Sequence, residues 1–362
     1  MILVTGATGF VGREVVHRLL RARREIAVLV RSKDGASGTE RVGQALGAPV
    51  DGLTTVEGDL GEPACGLAPA DLRWLRATVE TVLHCAGDTT FAPDAPGPYR
   101  AVHVDGPRAL LEMLASGRLR RWAQVSTAFV CGRRSGTALE VEGDVGQTFH
   151  NVYERVKLEA ELVLRAAGLR HGIDVRVFRP GIVIGRAPST AGGHPSNVLF
   201  GFIRLAATLA RMAGGGRVRV RIEGAPRAPF NLVPVEHVAR ALPALAEHPA
   251  GAGRTFHLVA SDPPTQAEML ATIAERLGIE GLALIDARRE RLTAPSALER
   301  RMSRMLGGYR DYLMQDVRFD DANTRALLAT GAAWRTRLTR EVVHALIDLA
   351  LTTGGPARVA AH

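Results

Sequence analysis

Lysine is almost absent from this chain of 362 residues, although its net charge is +9. Only Lys33 and Lys157 are lysines among 46 basic side chains, and the others are arginines. The positive charges are spread along the chain and form no run interleaved with aromatic residues, so they give no sign of a nucleic-acid-binding site. An anionic ligand, such as a phosphorylated cofactor or a carrier-linked substrate, accounts for the basic balance better.

Cysteine is also scarce, and the sequence has no long apolar segment. Cys65, Cys85 and Cys131 are far apart and match no metal-binding spacing, so we expect free thiols in a reducing compartment and no metal. The longest apolar stretch, near 198–213, is interrupted by two arginines and is too short to span a bilayer. The N-terminal residues do not resemble a cleaved signal. These features predict a cytoplasmic protein without a membrane span.

Short β-branched runs alternate with helical patterns over the first half of the chain. Ile26–Val30 is an uninterrupted apolar run, which is typical of a strand buried on both faces. This alternation predicts a Rossmann-type α/β fold with a doubly wound parallel sheet. The other predicted strands are 2–4, 54–56, 79–84, 122–130 and 175–178, and the helices are 12–24, 98–116 and 153–172.

A glycine-rich segment joins the first strand to the first helix. It reads TGATGFVG from Thr5 to Gly12. Gly6 permits a tight turn, Gly9 lets the backbone approach a pyrophosphate, and Gly12 allows close packing of helix on strand. The phosphates then lie at the helix N-terminus, where free N–H groups favour anions. We therefore predict dinucleotide binding by Gly6, Thr8, Gly9, Phe10, Val11 and Gly12.

The residues after the second strand bear on which dinucleotide is bound. Sites for NAD place an acid here for the ribose 2′-hydroxyl, whereas Arg31 suits a 2′-phosphate. We predict NADPH, with Arg31 and Ser32 at the phosphate; a solvated strand end is the other interpretation. Asp59, after the third strand, either accepts from the adenine amino group or caps the next turn.

A tyrosine and a lysine begin the helix that follows the fifth strand. The spacing of Tyr153 and Lys157 puts both side chains on one helical face. The ammonium can hold the cofactor ribose and lower the pKa of the phenol. Retention of lysine in so arginine-rich a chain favours chemistry over a solvated helix face, because a guanidinium fits a ribose hydroxyl poorly. We predict that both residues are catalytic and bind cofactor.

Two hydroxyl side chains end the fifth predicted strand. Carboxyl ends of strands in doubly wound sheets point at the ligand. We assign Thr127 to a hydrogen bond with the reacting carbonyl oxygen, with Ser126 as the alternative. Capping of a turn is the other interpretation of this pair.

The second half of the chain is less regular. We assign residues 1–185 and about 225–260 to the cofactor-binding domain, and about 186–224 and 261–362 to a smaller, mainly helical C-terminal lobe that binds substrate. The stretch 296–314 carries leucines and methionines among arginines, so it is either a lid over the substrate or an ordinary packing helix. The other predicted elements are helices 197–212, 266–277 and 340–351, strands 218–222 and 256–259, and a loop at 188–195.

Together these segments resemble the extended short-chain dehydrogenase/reductase family over roughly the first 260 residues. Further matching motifs are His84-Cys85-Ala86-Gly87, Val125-Ser126-Thr127, Arg179-Pro180-Gly181 and Pro234-Val235. Within that family the chain resembles thioester reductases: the reductase domains of carboxylic acid reductases and nonribosomal peptide synthetases, and fatty acyl-CoA reductases. Local patterns at 29–31 with 40–42, at 58–60, 66–67 and 74–75, and at 178–183 carry this second resemblance.

The resemblance implies further cofactor-binding residues and a reaction. It implies Arg41 at the 2′-phosphate and, along the cofactor, Asp59, Leu60, Ala86, Gly87, Pro180, Gly181 and Val183. The implied reaction is hydride transfer from NADPH to an acyl thioester on CoA or an acyl or peptidyl carrier protein, giving an aldehyde, with onward reduction to alcohol left open. Thr127, Tyr153 and Lys157 form the implied catalytic site.

The chain also departs from the family pattern. His103-Val104-Asp105-Gly106-Pro107 stands where the family has Asn-Val-x-Gly-Thr, so His103 occupies the position of a proton-relay asparagine. The tail from about 288 matches no assignable pattern. The alternatives are a sugar-nucleotide epimerase or dehydratase, a hydroxysteroid-type dehydrogenase and, less favoured, a non-enzymatic NADP-sensing protein. The oligomeric state is not predicted.

Overall fold

The structure is a computed structural model, which describes residues 1–47, 52–89, 96–185, 198–212, 217–328 and 338–352. The strands are β1 (Ile2–Thr5), β2 (Ile26–Val30), β3 (Leu53–Glu57), β4 (Thr81–His84), β5 (Arg121–Val125), β6 (Gly136–Ala138), β7 (Asp174–Pro180), β8 (Ile182–Ile184), β9 (Arg217–Gly224), β10 (Leu232–Pro234), β11 (Thr255–Leu258), β12 (Glu280–Asp286) and β13 (Val317–Phe319). The helices are α1 (Phe10–Arg21), α2 (Gly38–Leu46), α3 (Pro69–Thr78), α4 (Pro96–Arg100), α5 (Gly106–Ala115), α6 (Val152–His171), α7 (Val198–Met212), α8 (Val235–Glu247), α9 (Gln266–Arg276), α10 (Ala297–Leu306), α11 (Arg310–Met314), α12 (Ala322–Leu328) and α13 (Arg340–Thr352).

Seven strands form the main sheet, in the order β11-β7-β5-β4-β1-β2-β3. Every pairing in it is parallel. Helices cover both faces, which explains why Leu3, Val4 and Val28 are fully buried. The strand order reverses between β1 and β4, and ligands bind at such a switch point, outside the carboxyl ends of the strands. The predicted Rossmann-type doubly wound fold is confirmed.

The helices near the carboxyl ends of the strands begin and end at residues that cap them. Asn151 caps α6, because its Oδ1 accepts from the backbone N–H of Glu154 at 3.0 Å. Gly172 ends the same helix in the left-handed conformation. Ser37 and Glu40 form a capping box at the start of α2. The helix predicted over 98–116 begins at 96 and contains a π-helical turn, Ala101–Asp105.

The fifth strand is shorter than predicted. The β-branched run led us to expect a strand to Val130, but β5 ends at Val125. The Thr127 side chain accepts from the backbone N–H of Phe129 at 3.3 Å and starts a 3-10 turn, Ala128–Cys131. That turn is buried, so its apolar residues pack without extending the strand. The chain therefore turns away from the sheet at Ser126, immediately above its carboxyl edge.

A second apolar core lies outside the main sheet. Helices α7, α9, α10 and α13 and the two-stranded sheet β9–β12 contribute to it. Met302 and Leu306 of α10 and Leu313 of α11 are buried in this core. These three residues therefore pack inside the lobe, as in the packing-helix interpretation, whereas Tyr309 and Tyr312 of the same stretch border a cavity that is described below. The predicted loop 188–195 lies outside the described residues.

Residues 317–328 pack against the part of the chain that carries the main sheet. Strand β13 pairs with β6, and α12 packs against β11 and α8. The buried carboxyl of Glu140 joins these segments, because it accepts from the backbone N–H groups of His257 (2.7 Å) and Asn323 (2.5 Å) and from the Thr324 hydroxyl (3.0 Å). The division into two domains stays a prediction. None of the helices in the described ranges has the length and apolar composition that a bilayer-spanning segment needs.

Candidate active site

The turn after β1 admits no side chain at two of its glycines. Gly6 has φ +71°, and a Cβ there would lie 2.6 Å from the backbone nitrogen of Ala86. A Cβ on Gly12 would lie 2.2 Å from the carbonyl oxygen of Gly6. No side chain caps α1, and its first turn has no acidic residue. The N–H groups at the start of α1 are thus available to an anion, which fits the pyrophosphate of a dinucleotide.

A cavity of about 410 Å³ opens beside this turn, at the carboxyl ends of β4, β5 and β7. The sequence predicted many of its lining residues from several separate segments. Those residues are Gly9, Phe10, Val11, Gly12, Ala86, Gly87, Thr127, Tyr153, Lys157, Pro180, Gly181 and Val183. These predicted residues therefore border one contiguous space in the described structure.

The residues predicted for the adenosine end lie outside that cavity and are more exposed. Nη1 of Arg31 is 3.4 Å from Oδ2 of Asp59, and Arg41 donates to the backbone carbonyl of Arg31. The hydroxyl of Ser32 donates to Glu57 at 3.0 Å. Asp59 also accepts from the backbone N–H of Gly61 at 2.9 Å, so it caps a turn. Leu60 is instead buried in the core beneath the sheet.

Tyr153 lies in the first turn of α6 at the cavity wall. Desolvation raises its pKa, and the negative charge of the neighbouring Glu154 raises it further. We expected the Lys157 ammonium to lower this pKa, but burial shifts it in the opposite direction. The phenol therefore stays protonated and can act as a proton donor.

Lys157 lies one turn along the same face and is buried. Its Nζ donates to the carbonyl oxygen of Val125 at 2.7 Å, which anchors the ammonium at the end of β5. Burial lowers its pKa to about 8, although the Glu161 carboxylate acts in the opposite direction. Charge on this group therefore depends on pH within the range in which enzymes are assayed.

Two hydroxyls stand at the end of β5, both buried. Thr127 accepts from the Phe129 backbone, which leaves its hydroxyl hydrogen to point elsewhere. The Oγ of Ser126 has no hydrogen-bond partner among the described residues. Both side chains line the cavity, so either can donate to an oxygen bound there.

His103 lies in the π-helical turn and closes the cavity from another side. Its Nε2 accepts from the backbone N–H of Asp88 at 3.1 Å, which makes Nδ1 the protonated nitrogen. Desolvation lowers its pKa to about 3, so the imidazole is neutral. A Cβ on Gly87 would lie 2.9 Å from the ring, and the ring of Tyr99 packs against it with centroids 4.5 Å apart.

Several lining residues were not predicted from the sequence. Phe129 and Ile182 belong to segments that were recognised, but nothing in the pattern marked their side chains. Tyr309 and Tyr312 also line the cavity; they lie in the stretch 296–314, for which a lid over the substrate was one of two interpretations. Nothing in the local pattern singled out these two side chains, because only the packing of the lobe brings them to the cavity.

Comparison with known proteins indicates which class of cofactor the protein binds. Residues 4–242 match the family model of the male sterility protein, an NAD-binding domain, which is more than half of the chain. The chain belongs to the male sterility protein family. Membership accounts for the glycine turn and for the strand order around it, and it makes a nicotinamide dinucleotide the cofactor class.

Curated relatives of this male sterility family member include the nonribosomal peptide synthetase asaC of Aspergillus flavus, 26% identical over 72% of the chain. The carboxylic acid reductase of Mycobacterium marinum is 27% identical over 71%. The fatty acyl-CoA reductase wat of Drosophila melanogaster is 25% identical over 51%. The chain spans 26%, 24% and 43% of these proteins' own lengths. The resemblance to thioester reductases of the extended short-chain type is confirmed.

Solved structures support the fold. The terminal R domain from the myxalamid PKS-NRPS pathway superposes with a TM-score of 0.76 at 22% identity, covering 97% of this chain and 90% of that one. The NAD complex of UDP-glucuronic acid 4-epimerase from Bacillus cereus gives 0.68 at 18% identity, covering 97% and 98%. At these identities the likeness extends to the fold alone.

Proposed function

We propose that the protein is an NADPH-dependent reductase that converts an acyl thioester, carried by CoA or by a carrier protein, to an aldehyde. One observation carries the proposal: a tyrosine, a lysine and a strand-end hydroxyl from two elements border one cavity with the glycine turn. The names of the relatives, which include a carboxylic acid reductase and a fatty acyl-CoA reductase, support a thioester as the substrate class.

The chain's own residues supply a proton and orientation. When bound, the reduced nicotinamide supplies the hydride, which goes to the thioester carbonyl carbon. Tyr153 gives its proton to the carbonyl oxygen, and Thr127 donates a hydrogen bond to that oxygen as negative charge develops. Lys157 holds a ribose hydroxyl. The carbon–sulfur bond of the resulting hemithioacetal then breaks, and the products are aldehyde and thiol.

The adenosine end supports NADPH over NADH. Arg31 and Arg41 lie together after β2, and a 2′-phosphate offers such guanidinium groups a doubly charged acceptor. The carboxylate of Asp59 already contacts Arg31, so the phosphate would compete with it for that guanidinium. Ser32 adds a hydroxyl at the same position.

The decisive experiment follows the oxidation of NADPH at 340 nm against a panel of acyl-CoAs from C4 to C16, an acyl-loaded carrier protein, sugar nucleotides and hydroxysteroids. We expect turnover with acyl-CoAs and an aldehyde product trapped by a hydrazine. NADPH-linked turnover confined to steroids would identify a hydroxysteroid-type dehydrogenase instead. The sugar nucleotides are also analysed by chromatography, because an epimerase or dehydratase returns the hydride to its substrate and consumes no NADPH; an epimerised or dehydrated product would identify that class. If no substrate is converted although NADPH binds, the non-enzymatic NADP-sensing protein becomes the favoured interpretation.

Tyr153→Phe supplies the matched control. It retains the ring and its packing but removes the proton. We expect kcat to fall by about 10²–10⁴-fold while the Kd for NADPH stays within about twofold. Unchanged turnover would mean that another group is the acid.

A further inference from the structure

A tyrosine from the C-terminal tail reaches the start of the catalytic helix. Tyr312 of α11 donates its hydroxyl proton to Oε1 of Glu154 at 2.5 Å. Its oxygen accepts from Nδ2 of Asn151 at 2.8 Å. These partners precede Tyr312 by 158 and 161 positions. The contact is therefore made only when the lobe has packed on the first domain.

The acceptor carboxyl is the residue after Tyr153 and is fully buried. Besides Tyr312, it accepts from the backbone N–H of His150 at 2.9 Å and lies 3.1 Å from Nδ1 of the same residue. A buried carboxylate needs hydrogen-bond donors around it, so the loss of one donor raises the free-energy cost of its burial. Tyr312 is the donor that comes from outside the segment.

Asn151 links Tyr312 to the backbone of the helix. Its Oδ1 caps the N–H of Glu154, while its amide nitrogen donates to the phenol. The ring of Tyr312 stacks on His150 with centroids 5.1 Å apart and meets Phe129 edge-on at 5.1 Å. Tyr312 thus contacts both side chains that organise the first turn of α6, and it lines the cavity with its ring.

We propose that Tyr312 is a positioning residue, which acts through Glu154 and Asn151 to fix the first turn of α6 and with it the phenol of Tyr153. The inference rests on the proposed function only in naming Tyr153 as the acid. It makes the reacting site a product of both parts of the chain: the first domain supplies the acid, and the tail supplies the group that holds it. An error of about 1 Å in the position of a reacting group can lower turnover on the order of a hundredfold.

Tyr312 also affects Tyr153 through the negative charge of Glu154. The carboxylate of Glu154 contributes to the raised pKa of Tyr153. A hydrogen bond from Tyr312 shares that negative charge and reduces its field at the neighbouring phenol. Tyr312 therefore controls both the position of the acid and the charge beside it.

The test uses the full chain and Tyr312→Phe, which removes one hydroxyl and keeps both ring contacts. Asp311→Asn is the matched control, because it breaks the exposed 2.6 Å ion pair with Arg133 at the adjacent residue of the same helix. Glu154→Gln and the double variant Tyr312→Phe/Glu154→Gln complete a double-mutant cycle. Two measurements are made: amide hydrogen exchange of the peptide 150–157, and kcat and KM with the acyl-CoA that the wild type reduces fastest.

We expect Tyr312→Phe to speed exchange of the peptide 150–157 and to lower kcat by about tenfold, with KM for NADPH changed less than about twofold. Asp311→Asn should leave both measurements at wild-type values. In the Glu154→Gln background, Tyr312→Phe should lower kcat much less than it does alone, because the two residues act as one unit.

Unchanged exchange in Tyr312→Phe overturns the inference, and so does an additive double variant. The inference is also overturned if Asp311→Asn changes exchange of the peptide 150–157 and kcat as much as Tyr312→Phe does, because that result would reflect a general loosening of the interface. The hydrogen-exchange arm needs no substrate. If no acyl thioester is reduced, on CoA or on a carrier protein, the proposed function fails while exchange still decides whether Tyr312 holds the helix.

Discussion

The two ends of the cofactor groove are built in opposite ways. At the nicotinamide end the polar groups are buried: Lys157 is 4% exposed and Ser126 is 3% exposed. At the adenosine end the side chain of Arg31 is 49% exposed, and that of its partner Asp59 is 32% exposed. Buried groups act strongly and at fixed positions, whereas exposed charges are screened by water and salt. The proposed catalytic residues and the proposed 2′-phosphate site thus lie in different dielectric environments, and substitutions at the two ends should differ in the size of their effects.

After Tyr153→Phe, the largest effect is expected at the buried hydroxyl of Thr127. Thr127→Val should lower kcat about 10²–10³-fold, because it removes a donor to the developing negative charge, as measured by steady-state kinetics with acyl-CoA. Thr127→Ser keeps the hydroxyl and should retain most of the activity. If Ser126→Ala has the large effect and Thr127→Val does not, the donor is Ser126.

The next largest effect is expected for Gly12→Ala. Its Cβ would lie 2.2 Å from a backbone oxygen, so the turn must move; we expect loss of NADPH binding and destabilisation of about 1–3 kcal/mol. The control is Gly43→Ala in α2, whose Cβ would have no neighbour within 4 Å and which should stabilise by up to about 1 kcal/mol. Thermal melts and NADPH titration measure both variants. An unaffected Gly12→Ala would mean that the turn is not held as described.

The third effect depends on pH. With the pKa of Lys157 lowered to about 8 by burial, the ammonium is lost as pH rises through that value. We therefore expect kcat/KM for NADPH to fall about tenfold per pH unit well above pH 8. Profiles from pH 6 to 10 at constant ionic strength give the measurement. A flat profile to pH 10 would show that the buried end does not depress this pKa.

The smallest effect is expected at the exposed end. Arg31→Ala should raise KM for NADPH about three- to tenfold and leave KM for NADH nearly unchanged, because only NADPH carries the 2′-phosphate. The difference should shrink between 0.05 and 0.5 M salt, which is roughly a threefold change in screening length. Equal loss with both cofactors would remove Arg31 from the phosphate site and weaken the contrast between the two ends.

The sequence predicted features that depend on neighbouring residues better than those that depend on packing. The glycine turn, the strand Ile26–Val30 and the Tyr153/Lys157 spacing follow from local pattern, and the structure has them where they were expected. The end of β5 was missed because its β-branched run continues into a buried turn. The direction of the pKa shift of Tyr153 was missed because desolvation is set by the whole cavity wall. Tyr312 could not be found, since its partners lie more than a hundred positions away.

The return of the chain at β13 and α12 has a consequence for synthesis. A ribosome that has released the chain as far as residue 260 has delivered all seven strands of the main sheet, but not Asn323 or Thr324. Until those residues emerge, the buried carboxyl of Glu140 lacks the donors that they supply, and β6 lacks its partner strand. The nascent sheet domain is therefore incomplete at this contact until β13 and α12 have been synthesised.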